Sequence, residues 1–388
     1  MSQSISSVKI TEVNPAAQTR EDKKGLKRFV DLPWKIYNSK DHPQYAPPLR
    51  VSVYEALDVK HNPFYKRCDI TLFLAEKNGQ LVGRIAAIDN RAHNEFHGEK
   101  TGFYGFYECM EDKEVSDALF AAAEKWLKAR GLVSMRGPMN PSTNHECGLL
   151  VRGHSQHTTI MTTWNPKYYE TFHDEAGFKG VKDLVGYWSP TEKIANLPRK
   201  VISYAEKVQK ESGITFRNFD LKNFNRDVEA CFDIYNSAWE KNWGFFPMTR
   251  EEFMFAAKDM KMLLDPNFAF LAEKDGKPAG FMLALPDINH ILKRNPSGRL
   301  FPLGLVKLLI GKKFLKTVRI ITLGVKPEFR GTGIFALFTY EAFQRAKRTK
   351  LVGGEPSWIL EDNEAMNKPW LDLGAPLYRR WRIYERGI

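Results

Sequence analysis

A passage that occurs twice constrains the fold of this chain most. The stretch FLAEKNGQLVGRIAAI at 73–88 returns as FLAEKDGKPAGFMLAL at 270–285, a spacing of 197 residues. Each copy reads as a strand, an Asn-Gly or Asp-Gly turn and a second apolar strand, because those dipeptides supply the positive φ angles that two-residue hairpins require. The same spacing relates EAGF around Gly177 to DLGA around Gly374, each closing a helix ahead of a final strand. Two anchors at one spacing indicate a duplicated domain.

The length of 388 residues agrees, since it exceeds one ordinary core. The first domain is placed at 1–190 and the second at 191–388, with SPTEKIANLPRK at 189–200, rich in turn and polar residues, as the connection. In the second copy the pattern predicts a strand at 214–219, helices at 226–240 and 249–261, and the hairpin at 268–286. A strand at 317–325, a helix at 331–347, a strand at 354–360, a helix at 364–373 and a strand at 377–385 follow. The first copy repeats the order less clearly, with helices near 22–37, 114–130 and 166–176 and a strand at 181–188. The class is therefore α/β, a mixed sheet carrying helices, in two copies.

Composition narrows the function. The first twenty residues lack an apolar segment, so no secretory signal is expected. The greasiest stretch, LFPLGLVKLLIG at 300–311, is far shorter than the ~20 residues a membrane span needs, which favours a cytoplasmic protein. Cys68, Cys109, Cys147 and Cys231 are scattered without a C-x-x-C pair, arguing against a zinc site or a disulfide framework. They read as reduced thiols, and no metal is expected. A formal charge of +12 suits nucleic acid, an anionic membrane surface or a phosphate-bearing cofactor alike.

The segment RIITLGVKPEFRGTGIFALFTYEAFQRAKR at 319–348 chooses among them. Its β-branched run is a strand, and Ile334, Leu337, Phe338 and Ala342 recur at helical spacing. Glycines sit at the junction, where a helix N-terminus offers free N–H groups and partial positive charge to a pyrophosphate. Arg330 adds a full charge. Gly331, Gly333 and Ala336 also satisfy the G-x-G-x-x-A dinucleotide pattern, with Glu355 beyond, but that fold needs further strand-helix units and only about forty residues follow the helix.

The alternative pattern, R-x-x-G-x-G/A, resembles that of the GNAT superfamily of acyl-CoA-dependent N-acyltransferases, and the resemblance covers 214–388. The strand ITLGV, the loop KPEFRGTG and the later SWILEDNEAMNKPWLDLGA carry it. The whole chain resembles a group of bacterial tandem-GNAT proteins whose first domain is a degenerate copy. The resemblance implies acetyl-CoA or another acyl-CoA as co-substrate. Backbone groups of Leu323 and Val325 would pair with the pantetheine arm, while Arg330 and the N–H groups of Gly331, Thr332, Gly333, Ile334 and Phe335 would hold the pyrophosphate. Asn363 stands at the family's Asn at the start of the following helix. Two residues depart from the pattern. Phe335 replaces the last Gly or Ala, and Trp370 occupies the place of a Tyr that many members use to reprotonate the CoA thiolate. In the first copy the corresponding junction is ECMEDKE, whose carboxylates Glu108, Glu111, Asp112 and Glu114 would repel a pyrophosphate.

Acyl transfer needs a deprotonated amine, and Glu355 and Glu361, read as lying on one side of the 354–360 strand, are the candidate bases. Trp239, Asn242, Trp243 and Phe246 in SAWEKNWGFFP are candidates to wall an acceptor pocket. Asn144 and Glu146, in the long polar stretch 136–166, are candidates to join it. The basic insertion 287–316 leads a run to Arg319 with eight Lys and Arg against Asp287 alone, suiting a membrane-surface helix, a lid on an anionic substrate or an RNA docking edge. The resulting reading is direct transfer from acyl-CoA to a small-molecule or peptide amine without a covalent intermediate. A related aminoacyl-tRNA-dependent transferase, or a catalytically silent CoA-binding module, is the alternative.

Overall fold

The computed structural model describes residues 8–192, 197 and 199–388. The chain divides into two compact units: Met1–Leu184 with Asn289–Leu309 and Arg379–Ile388, and Val185–Ile288 with Ile310–Tyr378. The first border between the units falls between Leu184 and Val185, and two later segments count with unit 1 although they belong to the second copy in sequence. Of the 189–200 connection, residues 193–196 and 198 lie outside the described residues.

Unit 1 contributes strands β1 (Val8–Val13), β2 (Cys68–Lys77), β3 (Gln80–Asn90), β4 (Thr101–Cys109) and β5 (Ser134–Gly137). Short strands β6 (Met139–Asn140), β7 (Glu146–Cys147) and β8 (Leu149–Arg152) follow, then β9 (Lys179–Tyr187). Strands β1 to β4 run antiparallel in order and β4 pairs parallel with β5, giving the mixed sheet expected. The hairpin turn between β2 and β3 has φ of 53° at Asn78 and 74° at Gly79, both positive as the Asn-Gly pair demands. The helix Lys113–Lys128 lays Val115, Leu119, Phe120, Ala123 and Leu127 on the sheet, the i, i+4 stripe of an amphipathic helix. Gly83 admits it, because a Cβ there would stand 2.7 Å from Leu119 Cδ1.

His173 lies in this core, its Nδ1–H donating to the Tyr169 carbonyl at 2.6 Å and its ring 5.1 Å from Phe120 and 5.5 Å from Phe178. Burial pushes His173, and likewise His93 and His145, down to about 4 from the usual 6.5. Between those values the unfolded chain binds more protons than the folded one, so stability falls as the pH drops from 6.5 toward 4. For His173 alone the loss comes to about 2 kcal/mol at pH 5. His173→Phe should therefore unfold with a smaller drop in midpoint between pH 7 and pH 5 than the native chain; equal drops would mean that His173 is not the titrating group.

Unit 2 contributes β10 (Ser189–Pro190), β11 (Ile214–Asn218), β12 (Ala269–Lys274), β13 (Lys277–Pro286), β14 (Thr317–Val325), β15 (Gly353–Pro356) and β16 (Ile359–Leu360). Its sheet has the order β10-β15-β14-β13-β12-β11, antiparallel except for the β14–β15 pair. The helices Arg199–Ser212 and Ile334–Lys347 cover one face through Ala205, Val208, Leu337 and Phe338. Phe224–Trp239 and Arg250–Met260 lie toward the other, where Cys231 and Ile234 meet Leu271 and Phe281. The last strand, β17 (Leu377–Gly387), pairs through Tyr384–Gly387 with β5, in the sheet of unit 1.

Two elements differ from the sequence expectation. The helix read from 331 begins at Ile334, because Pro327–Phe329 forms a 3-10 turn and Gly331 and Gly333 take left-handed φ of 77° and 81°. The strand read over 354–360 breaks after Pro356 and resumes only as β16.

Candidate functional site

The site begins with a strand that is half covered. One edge of β14 pairs with β13 along its length, from Val318↔Pro286 to Val325↔Gly280. The other edge pairs with β15 only from Thr317↔Gly353 to Ile320↔Pro356, and its last link is the Ser357 N–H to the Ile320 carbonyl at 3.4 Å. Beyond Ile320 no strand among the described residues covers that edge. The Lys326 N–H donates to the Ala279 carbonyl at 3.0 Å, so Lys326 faces β13 and alternation turns the backbone of Val325 and Leu323 to the open side. Ile320, an odd number of residues away, faces the same side because a bulge intervenes. Two residues of β14, Ile320 to Thr322, advance against one step of β13, Ala284 to Leu283. The bulge re-aims the strand so that Leu323 and Val325 present their amides where β15 has departed.

Gly324, between them, lets Trp239 lie on the strand: a Cβ there would stand 2.5 Å from Trp239 Cζ3 and 3.3 Å from Ile234 Cγ2. Gly324→Ala is expected to cost about 1–3 kcal/mol by overpacking and to shift Trp239, read as a changed tryptophan emission spectrum and a lower unfolding midpoint. An unchanged spectrum would count against this placement.

The open edge runs into the glycine loop. Gly333 is the N-cap of the helix Ile334–Lys347, and no side chain caps it. Thr19, Asp112, Thr249 and Asn363, by contrast, each cap their helix with a side-chain oxygen. Gly331 and Thr332 are exposed, and a Cβ at Gly331 would meet nothing within 4 Å. Gly333 needs to be glycine, since a Cβ would come within 2.9 Å of Val208. Thr332 Oγ1 donates to the Phe329 carbonyl at 2.7 Å, tightening the loop, and Arg330 Nη2 donates to the Ala238 carbonyl at 2.7 Å, tying it to the end of the helix Phe224–Trp239. Phe335 is half-buried in the first helical turn. N–H groups that no side chain caps, at the positive end of a helix and beside an arginine, fit an anionic diphosphate, although the Ile334 side chain itself is buried in the core.

At the base of that edge, where β15 still pairs with β14, lies a buried polar chain. Glu355 is 0% exposed and Arg319, its register partner on β14, is 2% exposed. Arg319 Nε donates to Ser357 Oγ at 2.9 Å, Ser357 Oγ donates to Glu355 Oε1 at 2.7 Å, and the Tyr378 hydroxyl donates to Glu355 Oε2. The Arg319 guanidinium also lies 4.7 Å from the centre of the Trp358 ring. Glu361 does not share a strand face with Glu355, because the strand breaks between them, and it is exposed past β16. Asn363 caps the helix Glu364–Asp372, accepting from the Met366 N–H at 3.2 Å. Trp370 is a core residue, packed with Val185, Tyr187, Ile359 and Ala375. Sequence reasoning passed over Arg319, Ser357 and Tyr378; the available signal was an arginine in mid-strand between Val318 and Ile320.

Of the aromatic candidates, Trp239 stacks on Tyr235 at 4.8 Å and remains part-exposed, as do Asn242 and Trp243. The Asn242 N–H donates to the Trp239 carbonyl at 2.8 Å, turning the chain after the helix. Phe246 is 1% exposed and belongs to the packing rather than to a surface. Asn144 and Glu146 lie in unit 1, Glu146 opposite Asn140 in the β6–β7 pair and Asn144 in the loop between them. Unit 1 also answers its own helix start differently. Asp112 accepts from the Glu114 and Val115 N–H groups at 3.1 and 3.4 Å and pairs with Lys77 at 2.6 Å. Glu108, raised above its usual range by burial, accepts from Tyr169 at 2.9 Å and from Tyr37, with Arg84 at 3.7 Å.

Several known proteins are similar to this chain. A model of the acetyltransferase (GNAT) family matches residues 228–368. Protein YghO of Escherichia coli strain K12 is 33% identical over 373 residues, 95% of this chain and 94% of that protein. A bacterial ceramide synthase of Caulobacter vibrioides is 33% identical over 370 residues, 94% of this chain and 95% of that one. Among solved structures, a tandem GNAT protein from the clavulanic acid biosynthesis pathway superposes with a TM-score of 0.57 at 12% identity, covering 98% of both chains. A GCN5-related N-acetyltransferase from Sphaerobacter thermophilus gives 0.52 at 14% identity, covering 98% of this chain and 96% of that one.

Proposed function

This chain belongs to the acetyltransferase (GNAT) family of acyltransferases, and on that premise we propose that unit 2 takes an acyl group from acyl-CoA and joins it to an amine as an amide, releasing free CoA. The observation that carries the reading is the open edge of β14 leading straight into an uncapped, glycine-lined helix start.

Bound acyl-CoA would supply an activated thioester carbonyl. The chain's own residues do the rest. Leu323 and Val325 offer backbone hydrogen bonds to an extended arm, as an added strand would receive them. The N–H groups from Gly331 to Phe335, with Arg330 beside them, take the diphosphate. Glu361, exposed beyond the point where β15 and β14 part, is assigned the proton of the ammonium, directly or through one water. Glu355 is assigned to position rather than to react, because its carboxylate is enclosed by Ser357 and Tyr378 and holds β15 against the base of the opening. Trp370, sealed in the core, has no part in protonating the departing thiolate, and that proton is assigned to water. No nucleophile is used, so the amine attacks directly.

One relative supports a reading of the donor and acceptor. A ceramide is the amide of a long-chain amino alcohol with a fatty acid, and the Caulobacter protein named a ceramide synthase is 33% identical across 94% of this chain. We extend that to a long-chain acyl donor and a long-chain amine here. Rates of CoA release with acetyl-CoA and with palmitoyl-CoA, each against a long-chain amino alcohol and a short polyamine, test it. Preference for palmitoyl-CoA with the amino alcohol is expected; preference for acetyl-CoA with the polyamine would return the reading to a small-molecule acetyltransferase.

A further inference from the structure

The helix Leu303–Gly311, sequence LGLVKLLIG, is apolar on nearly every side. A helix of that kind is ordinarily buried all round, yet this one buries only Gly304 and Leu308. Leu303, Val306, Leu309 and Ile310 are 69%, 51%, 54% and 58% exposed, and Phe301 and Phe314 beyond its ends are 70% and 75% exposed. Six large apolar side chains along one short segment are more than the scattered exposure of a soluble surface.

Cations flank the segment in sequence. Lys293, Arg294, Arg299, Lys307, Lys313 and Lys316 are all exposed, and Lys307 Nζ is drawn to the Arg294 carbonyl at 2.7 Å. Asp287, the one acid of the stretch 287–319, is 1% exposed. The solvent-facing charge of this stretch is therefore wholly positive.

We propose that this helix docks the protein on the surface of an anionic phospholipid bilayer, its exposed apolar side chains entering the headgroup boundary and its lysines and arginines meeting lipid phosphates. Nine residues rise only about 13.5 Å against a hydrocarbon core of about 30 Å, so the helix lies in the plane of the interface. Among the described residues no helix is long and apolar enough to cross a membrane. A second copy of the chain is a poorer occupant, because a two-fold contact would set this cationic patch against itself. An RNA is poorer too, because it would engage the cations and leave the six apolar side chains in water. The proposal uses no residue of the open strand edge or the glycine loop, and stands or falls apart from the amide-forming reading.

Flotation of the full chain with vesicles tests it, in the absence of any acyl-CoA. Vesicles of phosphatidylcholine with about 30 mol% phosphatidylglycerol should carry the protein up, with roughly tenfold weaker binding to pure phosphatidylcholine and release by high salt. Leu303→Glu with Ile310→Glu should weaken binding to the anionic vesicles at least about tenfold while moving the unfolding midpoint by no more than about 2 °C, both sites being exposed. A milder pair, Phe301→Ser with Phe314→Ser, should fall between. Three results would overturn the proposal: variants that float like the native chain, equal binding to neutral vesicles, or a lipid-free dimer in sedimentation that the glutamate pair abolishes.

Discussion

Thr332→Glu should weaken acyl-CoA binding by roughly 10-fold to a few thousand-fold while scarcely changing the unfolding midpoint. Thr332 is exposed at the tip of the loop between two glycines, and its one side-chain bond, to the Phe329 carbonyl, is local. A carboxylate placed ~6 Å from a diphosphate carrying two charges costs ~1.5 kcal/mol in a water-like dielectric and ~5 kcal/mol at a dielectric of 20. Each 1.4 kcal/mol is about a factor of ten in affinity. Thr332→Gln, of like length without the charge, should stay within about threefold of the native chain, which separates charge from bulk. Calorimetric titration with CoA reads all three proteins. A Thr332→Glu protein that binds as the native does would remove the diphosphate from this loop.

The second large effect is expected at Glu355, and it concerns stability before catalysis. Glu355→Gln removes the charge of the carboxylate that Arg319, buried at 2% exposure, reaches through Ser357. Removing one member of a buried charged pair costs about 3–5 kcal/mol. With about 2–4 °C per kcal/mol for a unit of this size, the midpoint of unit 2 should fall by roughly 6–20 °C. Replacing both, Glu355→Leu with Arg319→Met, should recover much of that loss, because both buried charges are then removed together. Denaturant unfolding followed by tryptophan fluorescence provides the values. If Glu355→Gln unfolds like the native chain but turnover is abolished, Glu355 is the base and the assignment of Glu361 fails.

How far the fold could be read in advance differs from residue to residue, for physical reasons. The two hairpins were legible because Asn78-Gly79 and Asp275-Gly276 supply positive φ at both turn positions, a local requirement that local sequence meets. Gly177 and Gly374 marked helix ends for the same reason, with φ of 82° and 65°. The β14 strand and its glycine loop were legible because periodicity changes from two to 3.6 across the glycines. The placement of β17 beside β5 was not, since partner choice between two similar sheets leaves no mark on the strand itself. The bulge at Ile320–Thr322 was equally silent, although it decides which amides face the opening. Glu355 looked like a free carboxylate because its partners come from β14, the turn after β15 and the start of β17, three places that meet only in the folded sheet. Phe246 looked like a pocket wall because burial cannot be told from exposure in an aromatic run.

The central claim is that the chain joins an acyl group from acyl-CoA directly to an amine, and the most direct measurement counts both products. The full chain, incubated with palmitoyl-CoA and a long-chain amino alcohol, is followed for free thiol and for amide by mass spectrometry, with the intact protein weighed at each time. Thiol and amide rising together one for one, dependent on the amine, with no acyl mass added to the protein, is the predicted result. Thiol release that needs no amine, or an acyl group found on the protein before amide forms, would contradict direct transfer; no thiol release with any acyl-CoA and amine would contradict the account as a whole.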